Sequence, residues 1–169
     1  MPDPIMHRRQ PASAAAGIGG TIPATAATPE QATSDTFAQA RERVRAALAS
    51  MGSGNPEPYI DCWAQSADTT LFGAWGPIEQ GSGRLTETFR WVGSRFRSGP
   101  LIPEDTVSFE SGDLAYTVGF EHGEVVVDGA PRKPMTIRVT HIYRRIDGQW
   151  RLIHRHADFP PADQRPGAR

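Results

Sequence analysis

Three of the chain's five histidines, His141, His154 and His156, stand close together with Arg155 and Asp158. Histidine titrates near neutral pH, which makes these the side chains best suited to move a proton or hold a metal. His154 and His156 are two residues apart, so on a strand they share one face, and with Asp158 they have the look of a metal site. Alternating polar residues on a solvated or partner-facing sheet give the same pattern without metal. No third ligand stands at a fixed spacing, and no metal or other cofactor is expected. His141 is the best candidate for acid–base chemistry, but it would need a second group, and no carboxylate is placed by spacing to supply it. The single cysteine, Cys62, excludes an intrachain disulfide and a cysteine metal cage, and reads as a small buried hydrophobe.

These residues belong to segments of period two. Leu114, Tyr116, Val118 and Phe120 alternate with Ala115, Thr117, Gly119 and Glu121, after a shorter strand over 106–110. Residues 135–145 and 150–159 form two further strands joined by Asp147-Gly148. Which histidines share a face depends on that turn. A two-residue type I′ loop sets 141 opposite 154 and puts His141, His154, His156 and Asp158 on one side. A three-residue turn with a left-handed Gly148 in a bulge sets 141 opposite 153. His141 then joins Ile153, Arg155 and Ala157, and the His154/His156 pair turns to the other face. A slip of one residue exchanges the whole set.

Ahead of these strands the period is helical. Phe37, Ala40, Val44, Ala47, Leu48 and Met51 define a helix beginning at Thr36, capped by Ser34 or Asp35 and ended by Gly52 and Gly54. A short second helix around 58–65 presents Tyr59, Ile60 and Trp63, and a brief strand follows over 71–75. After a glycine-rich loop, a third helix over 85–97 buries Leu85, Phe89, Val92 and Phe96 and is stopped by Ser98-Gly99-Pro100. Three helices and then an antiparallel meander make an α+β layout. The four tryptophans read mostly as core, with Trp75 at the edge of the glycine-rich loop.

Residues 1–34 are rich in Ala, Pro, Thr and Gly, hold no aromatic, and read as a disordered leader. Residues 35–160 then form one domain, with 161–169 a flexible tail. His7-Arg8-Arg9, the uncharged stretch after it and Ala24-Thr25-Ala26 have features of an export signal over 1–27. Pro11 and the scarcity of bulky apolar residues favour a cytoplasmic tail instead. No run approaches a membrane span. The net charge of −1 hides an imbalance: residues 132–169 carry nine Lys/Arg against Asp147, Asp158 and Asp163. Because the basic residues alternate with apolar ones, they read as a solvated sheet face or a basic pocket for anions rather than a nucleic-acid surface.

The stretch 136–156, with Arg144-Arg145-Ile146-Asp147-Gly148-Gln149-Trp150 followed by His154-Arg155-His156, resembles the closing hairpin of SnoaL-like domains. It is similar also to that of the calcium/calmodulin-dependent protein kinase II association domain. The likeness covers about residues 35–160 and includes Leu71–Gly76 and Leu114–Phe120. It implies the cone-shaped nuclear transport factor 2-like fold, shared with ketosteroid isomerase: three N-terminal helices packed on a strongly curved, mostly antiparallel sheet. It also implies a pocket between helices and concave sheet, and a homodimer through the exposed sheet face. Ligand-contacting arginines of the association domain match positions 141 and 157, which favours the bulged turn. His141 is then the polar group of the pocket, Phe72, Trp75, Trp91, Tyr116, Val118 and Phe120 its apolar walls, and Arg155 lies near its mouth. His154, His156 and Asp158 are the candidates of the other register. Of the ketosteroid isomerase set, the base position falls at about Gly73, the tyrosine near Val44 and the second aspartate at His141, so that mechanism is not expected.

The fold alone does not choose an activity. The expectation is a mostly apolar pocket for a small organic molecule, an acid among the options. The alternatives are a non-catalytic association module, or a cyclase, dehydratase or isomerase without the ketosteroid isomerase set.

Overall fold

The apolar stripe of the first helix sets where the rest of the chain packs. A computed structural model describes residues 35–161; the readings for the leader, the export signal and the tail beyond 161 lie outside them. Helix α1 (Phe37–Gly52) buries Phe37, Ala40, Val44, Ala47, Leu48 and Met51. Its N-cap is Thr36 rather than Asp35. The Thr36 hydroxyl accepts from the Gln39 amide at 3.2 Å, and the Gln39 side chain accepts from the Thr36 amide at 2.9 Å, so two helix-end donors are satisfied reciprocally. Asp35 is engaged elsewhere: its carboxylate accepts from Arg43 at 2.8 Å and from the Trp150 amide at 3.2 Å. Its own amide donates to the Gly148 carbonyl, which ties the entry of α1 to the tip of the last hairpin.

A single turn, α2 (Glu57–Ile60), turns Tyr59 and Ile60 inward. Strands β1 (Thr70–Phe72) and β2 (Ile78–Gln80) pair across the loop at Gly76, where the sequence suggested no second strand. Helix α3 (Ser82–Arg95) buries Leu85 and Phe89, as its periodicity predicts. It ends earlier than expected, because Phe96 is already extended and opens strand β3 (Phe96–Ser98). Phe96 stays buried, now as a strand residue against β5. Strands β4 (Ile102–Ser111), β5 (Leu114–Val127), β6 (Lys133–Ile146) and β7 (Gln149–Asp158) complete the sheet. Its order is β2-β1-β7-β6-β5-β3, with β4 also on β5. Among these strand pairs only β1 with β7 is parallel.

The β6–β7 hairpin takes neither of the two registers anticipated; it combines them. Asp147 (φ 49°) and Gly148 (φ 75°) form a two-residue turn with both centres left-handed, the type I′ signature. Ile146 therefore faces Gln149, and Tyr143 faces Leu152. The next pair is Ile142 with His154, so Ile153 is an extra residue and a bulge sits there instead of at the turn. Beyond it His141 faces Arg155, and the two share the concave face.

The core fills the space between the helices and that face, around Tyr59, Trp63, Leu71, Tyr143, Trp150 and Leu152. Among the described residues no helix is long and apolar enough to cross a membrane.

Candidate functional site

On β5 the inward set is Ala115, Thr117, Gly119 and Glu121, not the large apolar residues that alternate with them. The reason is volume. Ala115 faces Tyr143 and Thr117 faces His141 across the β5–β6 ladder, so the bulk on β6 and α1 leaves room for small partners only. Leu114, Tyr116, Val118 and Phe120 consequently lie on the convex face, which corrects the expected place of Tyr116, Val118 and Phe120 in the pocket wall. At 54, 38 and 39% exposure, Leu114, Tyr116 and Val118 are open to solvent.

Glu121 on β5, His141 on β6, Arg155 on β7 and Tyr59 on α2 meet in the interior. They are 0, 2, 7 and 1% exposed. Strands β5 and β7 are two ladder spacings apart, about 10 Å, so only two long side chains can meet across β6. Arg155 meets Glu121 end on: Nη2 donates to Oε2 at 2.8 Å, and Nη1 donates to Oε1. Nη1 also approaches His141 Nε2 at 3.1 Å and the Tyr59 hydroxyl at 3.5 Å.

These contacts fix the protons. A guanidinium only donates, so His141 Nε2 carries a lone pair and the ring proton is on Nδ1. The Tyr59 hydroxyl, 2.9 Å from the same nitrogen, is then the donor and His141 the acceptor. Burial, and after it the Arg155 charge, hold His141 well below the usual histidine range, so the ring is neutral in the folded chain. Burial opposes the charge on Arg155, but Glu121 and Tyr59 together outweigh it and keep the guanidinium protonated. Burial raises the Tyr59 hydroxyl above its ordinary value, so it stays protonated.

A pH dependence follows. Below about 6.5 the unfolded chain takes a proton at His141 that the folded chain refuses, so stability falls as pH drops through that value. Urea midpoints measured from neutral pH down to about 5 should decline more steeply in the wild type than in His141→Gln. Parallel slopes would remove His141 from the account.

One wall of a small cavity is formed by this cluster. Tyr59, Glu121 and Arg155 line it, opposite Leu48, Met51, Trp75, Phe89, Val92 and Leu101, and its volume is about 40 Å³. Trp75 and Arg155 both stand in the wall, but Arg155 is buried against Glu121 rather than set near the mouth. Trp75 packs edge-on against Phe96 at 5.7 Å and under the Arg95 guanidinium at 4.7 Å. His141 stands behind Tyr59 and Arg155 and is not part of the wall. Phe72 and Trp91, 40 and 47% exposed, are outside it too; their neighbours Leu71, Gly73 and Val92 line the cavity instead.

The pair His154/His156 is on the other face. His154 Nδ1 is 2.7 Å from the Thr70 hydroxyl, Phe72 packs edge-on against both rings, and Asp158 pairs with Arg138 at 2.8 Å. Among the described residues no three His, Cys, Asp or Glu are grouped to hold a metal. Cys62 is half-buried, and burial pushes its thiol up to about 11, which leaves it an inert group rather than a nucleophile.

Sequence reasoning missed Glu121 and Tyr59 as site residues. The available signal was Glu121 and Arg155, a lone acid and a lone base each at a position of inward parity on its strand. Pairing them required the bulge at Ile153.

The chain belongs to the SnoaL-like domain family, whose model matches residues 41–162. Solved structures with the same nuclear transport factor 2-like α+β fold include a superfamily member from Salmonella enterica serovar Typhimurium. It is 19% identical, with 78% of this chain and 98% of that one covered and a TM-score of 0.62. A structure from Thiobacillus denitrificans carrying the description of a calcium/calmodulin-dependent protein kinase type II association domain is 17% identical, covering 75% and 96%, with a TM-score of 0.62. One from Streptomyces avermitilis described as a dehydratase of the NTF2-like family is 18% identical, covering 74% and 94%, with a TM-score of 0.60. No curated protein matches the chain.

Proposed function

We propose that the domain binds a small organic molecule in the cavity between its helices and the concave sheet face, oriented by Tyr59 and the Arg155–Glu121 pair. The observation that supports this is the segregation of the lining. Hydrogen-bonding side chains are confined to Tyr59, Thr88, Glu121, Arg155 and the rim Trp75, while the remaining wall is aliphatic, aromatic or glycine. Apolar walls with a few convergent polar groups are the usual lining of a ligand site. The 40 Å³ of free space holds about three water molecules, so the ligand is small. His141 serves as a positioning residue that holds the Tyr59 hydroxyl, and no catalytic role is assigned to it.

A thermal-shift panel of small amides, alcohols, carboxylates and phenols tests the reading. A ligand at about 100 times its dissociation constant stabilises by roughly 2.7 kcal/mol, a shift of several degrees at this size. Val92→Phe, which fills the cavity from α3, should abolish the shift at a stability cost of about 1–3 kcal/mol. A panel that shifts nothing, or shifts both proteins alike, would remove the pocket.

The convex face supports a second reading, association with another copy of this chain. Phe109, Leu114, Tyr116 and Val118 form a continuous apolar patch over β4 and β5, with Phe109 52% exposed. Sedimentation should show a dimer that Val118→Glu converts to monomer; a monomeric wild type overturns it.

A further inference from the structure

We infer that Glu121 makes the cavity a site for neutral molecules and excludes carboxylates. This rests on the pocket reading above and narrows it to a ligand class. Of the residues lining the cavity, only two carry charge, Glu121 and Arg155, and they are of opposite sign. Both are buried, and the guanidinium presents both terminal nitrogens to both oxygens of the carboxylate. The cation that would otherwise capture an acid is already answered in full.

Among the described residues no other cation is placed to take its part. His141 is neutral, its Nε2 occupied by Tyr59 and Arg155. Arg95 lies over the Trp75 ring and is committed to Asp128 at 2.6 Å. An entering carboxylate would either displace Glu121, stranding one buried anion for another, or remain beside it as a second buried negative charge. Both alternatives are disfavoured in a low-dielectric interior. The basic balance of residues 132–169 left an anion pocket open beside a solvated sheet face; the cavity itself is neutral because Arg155 is its one basic residue and Glu121 cancels it.

The polar groups also define what the neutral ligand must offer. The Tyr59 proton is directed to His141, so its oxygen faces other neighbours as an acceptor, and Glu121 offers only acceptor oxygens. The ligand therefore carries an N–H or O–H donor on a small apolar body: a primary amide or an alcohol.

The discriminating probes are propionamide and propionate, which have the same shape and differ in charge. Titrated into the full chain and followed by amide chemical shifts of residues around Tyr59 and Arg155, propionamide should bind at least tenfold tighter. In Glu121→Gln the Arg155 charge is no longer cancelled, and the preference should reverse toward propionate. A wild type that binds propionate as well or better overturns the inference while leaving the pocket intact. Binding of neither probe overturns the pocket reading and the inference with it. Since the wild-type comparison decides the matter alone, a Glu121→Gln chain that fails to fold does not shield the inference.

Discussion

Replacing Arg155 with Met is expected to cost about 3–5 kcal/mol of folding stability. The substitution roughly preserves volume, so packing accounts for little of the loss. What it removes is, among the described residues, the only cation paired with Glu121, a carboxylate with no exposed surface. Left beside Glu121 is His141, whose Nε2 is 3.9 Å from Oε1. With the guanidinium gone, the charge that depresses His141 is gone as well, so the ring should take a proton more readily than in the wild type. The double variant Glu121→Leu/Arg155→Met should recover most of the loss, since replacing a whole buried pair by apolar residues is often neutral or better. Urea midpoints for the wild type, both single variants and the double close the cycle. A single variant within about 1 kcal/mol of wild type, or a double as damaged as the single, would show that the pair is not the isolated buried unit described here.

Gly99→Ala is the second large effect, expected at about 2–5 kcal/mol from backbone strain and steric overlap together. Gly99 has φ +108°, a region that L side chains rarely adopt, and an added Cβ would lie 2.0 Å from the Glu124 carbonyl oxygen and 3.1 Å from Val125 Cα. Both contacts are backbone, so no rotamer change relieves them. Either β5 moves or the corner between β3 and β4 opens. Gly112, in the β4–β5 turn, is the control: its φ is +59° and a Cβ there meets nothing within 4 Å. Gly112→Ala should cost only about 1–2 kcal/mol, the strain of one left-handed residue. Equal losses at the two sites would mean that the close approach at Gly99 relaxes freely.

Gly99 also illustrates what the sequence could and could not reveal. Its neighbourhood reads naturally as the stop of the third helix, because Ser-Gly-Pro is a helix terminator. In the structure α3 has already ended at Arg95, and Gly99 is the corner between two strands pressed against a third. Local periodicity located α1, α3 and the four long strands, because each repeats one spacing over several turns or pleats. It misjudged β5, where both alternating sets hold residues that could face inward. The choice was made by Tyr143 and His141 on the next strand, which leave room only for Ala115 and Thr117. The hairpin failed for a similar reason. Asp147-Gly148 did specify a two-residue turn, yet the extra residue sits five positions further on, at Ile153, where no glycine or proline marks it. His141 and Arg155 were legible as unusual residues, whereas their juncture with Glu121 and Tyr59 depended on register and on a helix distant in sequence.

The position of β7 has a further consequence for how the domain comes into being. This strand is the last of the sheet in chain order, yet it lies between β1 and β6 and joins them. It pairs in parallel with β1, matching Thr70 to His154 and Phe72 to His156, and its Trp150 amide and the adjoining Gly148 carbonyl engage Asp35 at the very start of α1. During synthesis, α1, α2, α3 and the β1–β2 hairpin emerge with their apolar sides uncovered and wait for the strand of the sheet that is made last. Pairings so far apart along the chain delay the transition state, which places folding in the slow range of about milliseconds to seconds. Chains interrupted before residue 149 therefore carry exposed helices and an unpaired β1 edge, the state in which such a domain aggregates instead of folding.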